Sequence, residues 1–396
     1  MIDPHMKMRW TARVYLLLVS IKCLFVIWRA DKQRCYTLVN DLRLACGRGG
    51  SHHAFFKLLF EQVLIPNYRL KANVQLGRPS LTIYRKFFEL IQSIESNDSP
   101  THQERMKPRY LLVRDGAMGD VLMLTPVVHA LHEAYAGEIL IDVATHARAV
   151  FDNNPFVNQL MSPKQLAHGV HTYDVVVDLN GMYERMPNTH PVNAYAKAVL
   201  GVRSFNKQLE LYPSQDDVLL IDDVVQKIGA PFVVMHQFSH DWPNRTIAPA
   251  IWAQVTDAIT TLASLKIIYV GTSQDLAPVH SAQHEDHRAR YNLQQLSLLI
   301  SRSQGFIGGD SGPSHVAATT DVPIAVFYTC AHHETRMPLR ETGKFLPIFP
   351  ALDCYGCLTK RTIPRLGYFC ERGDNACVDM VGASDLSQSI KNFFDA

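Results

Sequence analysis

Asp120 closes the run "RDGAMGD", residues 114–120, where the apolar stretch "YLLVR" gives way to a helix beginning near Val121. Gly116 and Gly119 in the same turn leave the backbone open to a close ligand, and free N–H groups at a helix start attract an anion. A carboxylate at such a junction projects into a cleft rather than a core, where it could accept a proton from an incoming hydroxyl. Aspartate at a helix start also serves as a plain cap, so Asp120 carries weight only in company.

That company lies 190 residues later. "GFIGGDSGPSHVAATTDVPIAVF", residues 305–327, again runs strand, glycine-rich turn, helix, strand. Pro313 has the fixed φ suited to a first helical turn, and Ser311 or Gly312 can cap it. The exposed amides of the turn suit a diphosphate, with the Ser311 hydroxyl assisting and His315 donating from just inside the helix. Taken singly, His315 reads as a core histidine on a capped helix. Two such turns in one chain favour a ligand between them.

The elements that must hold these turns are legible as apolar runs. "YLLVR" (110–114), "EILIDVA" (138–144) and "DVVVDL" (174–179) are apolar on both faces and alternate with helical patterns. Parallel strands covered by helices on each side read this way. After "LYPSQDD" a second series follows: "FVVMH" (232–236), "KIIYVG" (266–271), "GFIGG" (305–309) and "PIAVF" (323–327). Two doubly wound units in tandem, with ligand at the carboxyl ends of their strands, is the architecture this predicts.

Upstream, residues 10–96 read as helices, with apolar residues three and four apart in "HHAFFKLLFEQVLIP" and "LTIYRKFFELIQSIES". The polar run 96–108, with two prolines, has the composition of a linker. The expected division is a helical extension and linker over 1–108, a first unit over 109–215, a second over 216–349, a cysteine-rich finger over 350–380 and a last helix over 381–396, capped by Ser384. The apolar stretch 11–28 contains Arg13 and Lys22 and falls short of a clean span, so it reads as a buried or interfacial helix.

With 396 residues, 47% of them apolar and 19% charged, the chain can bury ordinary cores and is neither fibrous nor disordered. Its net charge of +2 hides an asymmetry. Residues 1–109 hold 18 Lys/Arg against 8 Asp/Glu, and the rest hold 21 against 29. A basic N-terminal quarter could face an anionic membrane surface, an acidic glycolipid or acidic neighbouring subunits, or be a set of solvated helix faces.

The segments "LLVRDGAMGDVLMLTPVVHAL" and "FIGGDSGPSHVAA" resemble the paired signatures of glycosyltransferase family 9, the heptosyltransferases of lipopolysaccharide core synthesis and of autotransporter modification. The resemblance covers residues 109–395. It implies an α/β GT-B fold, two Rossmann-like domains facing across a cleft, with a last helix crossing back to the first domain. It further implies inverting transfer from a nucleotide-diphosphate sugar, usually ADP-heptose, in the cytoplasm, with no metal at the reaction centre. Position by position, Asp120 matches the catalytic base and Gly119 its neighbour. Asp310, Ser311, Gly312 and His315 match the donor-binding turn. Where the family has a lysine in "K-x-W-P-x-x-W", this chain reads "WPNRTIAPAIW", which puts Arg245 there. Arginine keeps the charge and binds phosphate bidentately, but its reach differs.

Other cleft candidates follow from topology. Gln237, Ser239 and His240 follow "FVVMH" and either line the donor pocket or form a polar loop. Asp275, in "GTSQD", is a ribose partner by the rule that acidic residues after Rossmann strands hold ribose hydroxyls. Asn180, Tyr183 and Arg185, in "DLNGMYERM", lie on the acceptor side.

Four of the eight cysteines cluster late: Cys354 and Cys357, then Cys370 after twelve residues and Cys377 after six more. This spacing approaches that of a four-thiolate knuckle, with zinc as the default ion. The autotransporter branch of the family makes iron the alternative, and disulfides are the remaining reading. Four thiolates leave no open position, so such a metal is structural. Cys23, Cys35, Cys46 and Cys330 are scattered and read as buried apolar residues.

The expected activity is transfer of heptose from ADP-heptose to a hydroxyl of a lipopolysaccharide core or related glycan. The alternative acceptor is Ser or Thr of an autotransporter protein, and the helical extension offers a means of homo-oligomerisation, partner docking or contact with the inner membrane. No nucleic-acid partner is expected. A catalytically idle nucleotide-binding scaffold is the reading from a different class.

Overall fold

The computed structural model of the chain describes residues 107–395 except 164, 166–172, 185, 187, 202–204, 238–241, 263–264, 276–282, 341, 360–369, 371 and 383–384. The helical extension up to residue 106, the apolar stretch 11–28, and Arg185, Ser239, His240 and Ser384 lie outside the described residues.

The first unit begins with β1 (Arg109–Val113), followed by the short helix α1 (Met118–Leu122) and α2 (Thr125–Ala134). Next come β2 (Leu140–Ala144), β3 (Gln159–Met161), β4 (Val175–Asp178) and α3 (Pro191–Val199). Its strands form one parallel sheet in the order β3-β2-β1-β4. A strand covered on both faces must be apolar on both. In β1, Tyr110 and Leu112 enter one core while Leu111 and Val113 enter another with Ala144 and Tyr173. The exception is Asp142 in β2, fully buried yet satisfied by Arg109, Asn158 and the Tyr173 hydroxyl, each at 2.8 Å. A buried carboxylate needs such partners.

The second unit opens with α4 (Gln215–Ile228). Ser214 caps it in a capping box with Asp217, and Gly229 ends it in the left-handed region at φ +64°. There follow β5 (Phe232–His236), α5 (Pro249–Thr260), β6 (Lys266–Tyr269), β7 (His284–Asp286), α6 (Leu293–Ser301), β8 (Phe306–Gly309), α7 (Gly312–Ala317), β9 (Ile324–Phe327), β10 (Phe345–Ile348) and α8 (Leu386–Phe394). The second sheet is parallel throughout, in the order β10-β9-β8-β5-β6-β7. Its residues alternate between layers. Phe232 and Val234 of β5 join the core shared with the first unit, whereas Val233 and Met235 face α5 and α8.

The last helix differs from the expectation. It packs on α5, burying Leu386 and Ile390 beside Trp252 and Val255, instead of crossing to the first unit. Gly305 secures it, because a Cβ there would stand 2.5 Å from a ring carbon of Phe394. Its N-cap is Asp385.

The units meet along α1 and α7, which pack against each other. A Cβ on Gly119 would lie 2.9 Å from His315 Cδ2, and one on Gly312 would lie 2.5 Å from Met118 Cε. Two glycines thus let two helix starts from different units approach. Gln294 Nε2 donating to the Ala149 carbonyl at 2.9 Å and Gln208 Nε2 donating to the Ala318 carbonyl at 2.7 Å add polar links across the same junction.

Candidate active site

The junction of α1 and α7 brings together Asp120 and His315, residues far apart in sequence. Asp120 leaves the first turn of α1 with both carboxylate oxygens engaged. Tyr183 Oη donates to Oδ1 at 2.7 Å, and Arg114 Nη2 lies 3.4 Å from Oδ2. Arg114, at the end of β1 and buried, also pairs with Glu184 at 3.1 Å. Burial alone would lower its pKa. The neighbouring Tyr195, Asp120 and Glu184 lift it instead, so Arg114 stays a cation. Burial and then Asp120 push the Tyr183 phenol far up, so it remains a donor.

The second turn supplies the opposite wall. His315 is buried, and burial lowers its pKa against the pull of Asp310 and Asp120, so it enters the site as a neutral imidazole with one N–H to give. Arg245 lies over the Trp242 ring at 4.9 Å, with Nη2 3.1 Å from Asp310 Oδ2 and donating to the Asp310 carbonyl. The guanidinium at the expected lysine position is therefore already paired with the Asp310 turn.

Ser311 Oγ lies 3.0 Å from His236 Nδ1, and His236 Nε2 lies 3.5 Å from Asp275 Oδ2. That same Asp275 oxygen accepts from the Thr272 amide at 2.6 Å and from its hydroxyl at 3.0 Å. Gly271, at φ +132°, makes the arrangement possible: a Cβ there would stand 2.5 Å from Asp275 Oδ2. Asp275 is thus 7% exposed, with its carboxylate turned toward His236 and the Thr272 turn. Gln237 is buried, its amide 3.4 Å from Met235 Sδ.

In the first unit, Asn180 Oδ1 accepts from the Asp115 amide at 2.8 Å and so braces the turn before Asp120. Tyr183 reaches Asp120 directly. Sequence reasoning missed Arg114, Glu184, His190 and Arg336. Arg114 stands in the quoted "RDGAMGD" run, where a charged residue at a strand end was a signal. His190 Nε2 donates to the Met337 carbonyl at 3.0 Å and its Nδ1 accepts from the Val192 amide, tying α3 to the second unit. Arg336 lies with its guanidinium 4.7 Å over the Tyr183 ring.

Cys354, Cys357, Cys370 and Cys377 line one small cavity of about 10 Å³, joined by Cys330, Asn244, Thr329, Arg372 and Ala376. That is room for one water-sized occupant. Cys330 was expected only as a buried apolar residue. It is buried, and it belongs to this cluster as well. None of the five is in a disulfide among the described residues. Burial, then the other four cysteines, push Cys377 up to about 12. Nearby, Asn244 Oδ1 is buried with no hydrogen-bond partner among the described residues, and the Asn244 carbonyl accepts from the Thr329 hydroxyl at 2.5 Å. Among the described residues, no group of three or more His, Cys, Asp or Glu side chains stands in metal-ligand geometry. The four cysteines of the finger expected over 350–380 are gathered around this one cavity.

Two parallel sheets, each leading through a glycine-rich turn into one of two helices that pack together, define a two-unit α/β fold. The family model of glycosyltransferase family 9 (heptosyltransferase) matches residues 251–360. A family 9 glycosyltransferase from Veillonella parvula is similar in structure, with 14% identity, a TM-score of 0.59, and coverage of 74% of this chain and 98% of that one. The iron-containing dodecameric glycosyltransferase TibC from enterotoxigenic E. coli aligns at 16% identity and TM-score 0.54, over 73% of this chain and 76% of that one; it is also described in complex with ADP-D-beta-D-heptose. E. coli ADP-heptose lps heptosyltransferase II aligns at 16% identity and TM-score 0.51, over 65% of this chain and 95% of that one. No curated protein matches the sequence. The family 9 match rests on residues 251–360, and these solved structures share the fold of the chain. Among the described residues no helix is long and apolar enough to cross a membrane.

Proposed function

We propose that the chain transfers heptose from ADP-heptose, with inversion, to a hydroxyl of a lipopolysaccharide core or related glycan. The observation that carries this reading is the packing of α1 on α7, which sets Asp120 of one turn opposite His315 and the Asp310–Gly312 turn of the other. The acceptor hydroxyl gives its proton to Asp120 as its oxygen bonds to the anomeric carbon. The bond from that carbon to the diphosphate breaks, and the electron pair leaves with the diphosphate. Arg245, His315 and Ser311 are the donors that meet the growing charge. Tyr183 and Arg114 hold the Asp120 carboxylate in place.

The cysteine cavity fits a metal in donor type and size. Cys354, Cys357, Cys370 and Cys377 would hold zinc or iron, which would fix the finger against the Arg245 loop and supply no reactive position. This cluster favours a second reading of the acceptor, Ser or Thr of an autotransporter protein, since the similar TibC is iron-containing. In that reading the chain is a homo-oligomer, as TibC is a dodecamer.

The test is nucleotide release from ADP-heptose and from UDP-, GDP- and dTDP-linked sugars in a lysate supplying acceptors. Release of ADP from ADP-heptose alone, reduced roughly 10²- to 10⁴-fold in Asp120→Asn, is the expected result. Equal release by the variant would remove Asp120 as the base.

A further inference from the structure

The cations of the cleft are not equally engaged. Arg245 is balanced by Asp310, and Arg114 by Asp120 and Glu184. Arg336 is different. It stands just after Thr335 in the second unit, half-buried, and Nη1 donates to the Thr335 carbonyl at 2.7 Å. Its Nε and Nη2 make no hydrogen bond among the described residues, and no carboxylate there lies within ion-pair distance. The guanidinium face rests on Tyr183, the phenol that donates to Asp120, so Arg336 bridges from the second unit to the base of the first. Its charge is felt at His315 in the donor turn.

A half-buried cation without an anion is costly, and a ligand that brings one recovers that cost. Stacking on an aromatic ring occupies the face of a guanidinium and leaves its edge N–H groups, a planar fork suited to phosphate oxygens. We propose that Arg336 is an anion-binding residue of this cleft and takes the diphosphate of the nucleotide-sugar donor. This rests on the donor reading above and deepens it. Arg245 shapes the turn through Asp310, and Arg336 supplies the uncommitted positive charge that the diphosphate meets.

The test is binding of a nucleoside diphosphate, chosen from ADP, UDP, GDP and dTDP by what the wild-type chain binds, compared with the matching nucleoside. Arg336→Gln is expected to weaken the diphosphate about ten- to a hundredfold and leave the nucleoside unchanged. Arg336→Lys, which keeps the charge, is expected to recover part of the loss. Wild-type binding of the diphosphate by Arg336→Gln, with a raised KM for the acceptor, would overturn the assignment and place the cation on the acceptor side. Failure of the wild-type chain to bind any of the four diphosphates would overturn the donor reading and this inference together.

Discussion

Adding one methyl group at Gly119 tests whether the two turns are locked together. The new Cβ would stand 2.9 Å from Cδ2 of His315 and 3.5 Å from Cα of Gly312. Carbon atoms settle at about 3.5–4.0 Å, so the ring must retreat by roughly 0.6–1 Å. His315 is 5% exposed and enclosed by Ser314, Val316 and Ala317, which are also buried, so that movement is resisted. Overpacking of this kind costs about 1–3 kcal/mol. Gly312→Ala is the control. Its Cβ meets Cε of Met118 at 2.5 Å, but that atom ends a flexible, partly buried side chain, and a helical position gains about 0.5–1 kcal/mol from alanine. Thermal and urea denaturation of both variants, with ADP release as a second measure, should show Gly119→Ala destabilised and slow and Gly312→Ala near the wild type in stability. Wild-type stability in Gly119→Ala, or an equal loss in both variants, would refute the reasoning.

Acid should weaken the fold through His190. Burial first, and then the neighbouring His315 ring, lower its pKa to about 3, so the unfolded chain binds the proton more readily between that value and the ordinary 6.5. Its contribution is complete above about pH 6.5 and falls with decreasing pH by up to ~1.4 kcal/mol per unit, a slope that urea titrations should find flattened in His190→Gln. Tyr183→Phe removes the 2.7 Å hydrogen bond to Asp120, which should cost about 0.5–1.5 kcal/mol of stability and slow turnover without changing nucleotide affinity. Cys357→Ser should lower metal content measured by elemental analysis and weaken nucleotide binding through the Arg245 loop, whereas Cys330→Ala should leave metal content intact.

The strands of both sheets were largely visible in the sequence because a parallel strand buried on two faces must be a continuous apolar run. "FVVMH" forms β5 over its whole length, the other quoted runs contain β2, β4, β6, β8 and β9, and "YLLVR" covers β1 except Arg109. The strands that were not visible are β3, β7 and β10, "QLM", "HED" and "FLPI". These are edge strands, paired on one side and half exposed, so nothing forces them to be apolar, and Pro347 is tolerated at such an edge.

The site divides in the same way. A glycine-rich turn between a strand and a helix is a local pattern, so both turns, with Asp120, Asp310, Ser311 and His315, could be read directly. Whether their side chains meet depends on the packing of α1 on α7, which joins segments 190 residues apart. Only the tertiary structure turns Asp275 toward His236, pairs Arg245 with Asp310, adds Cys330 to the late cysteines and lays Arg336 on Tyr183. Periodicity along a chain records which face of an element is covered. The partner of a charged side chain is chosen by crossovers between elements, and that choice leaves no periodic trace.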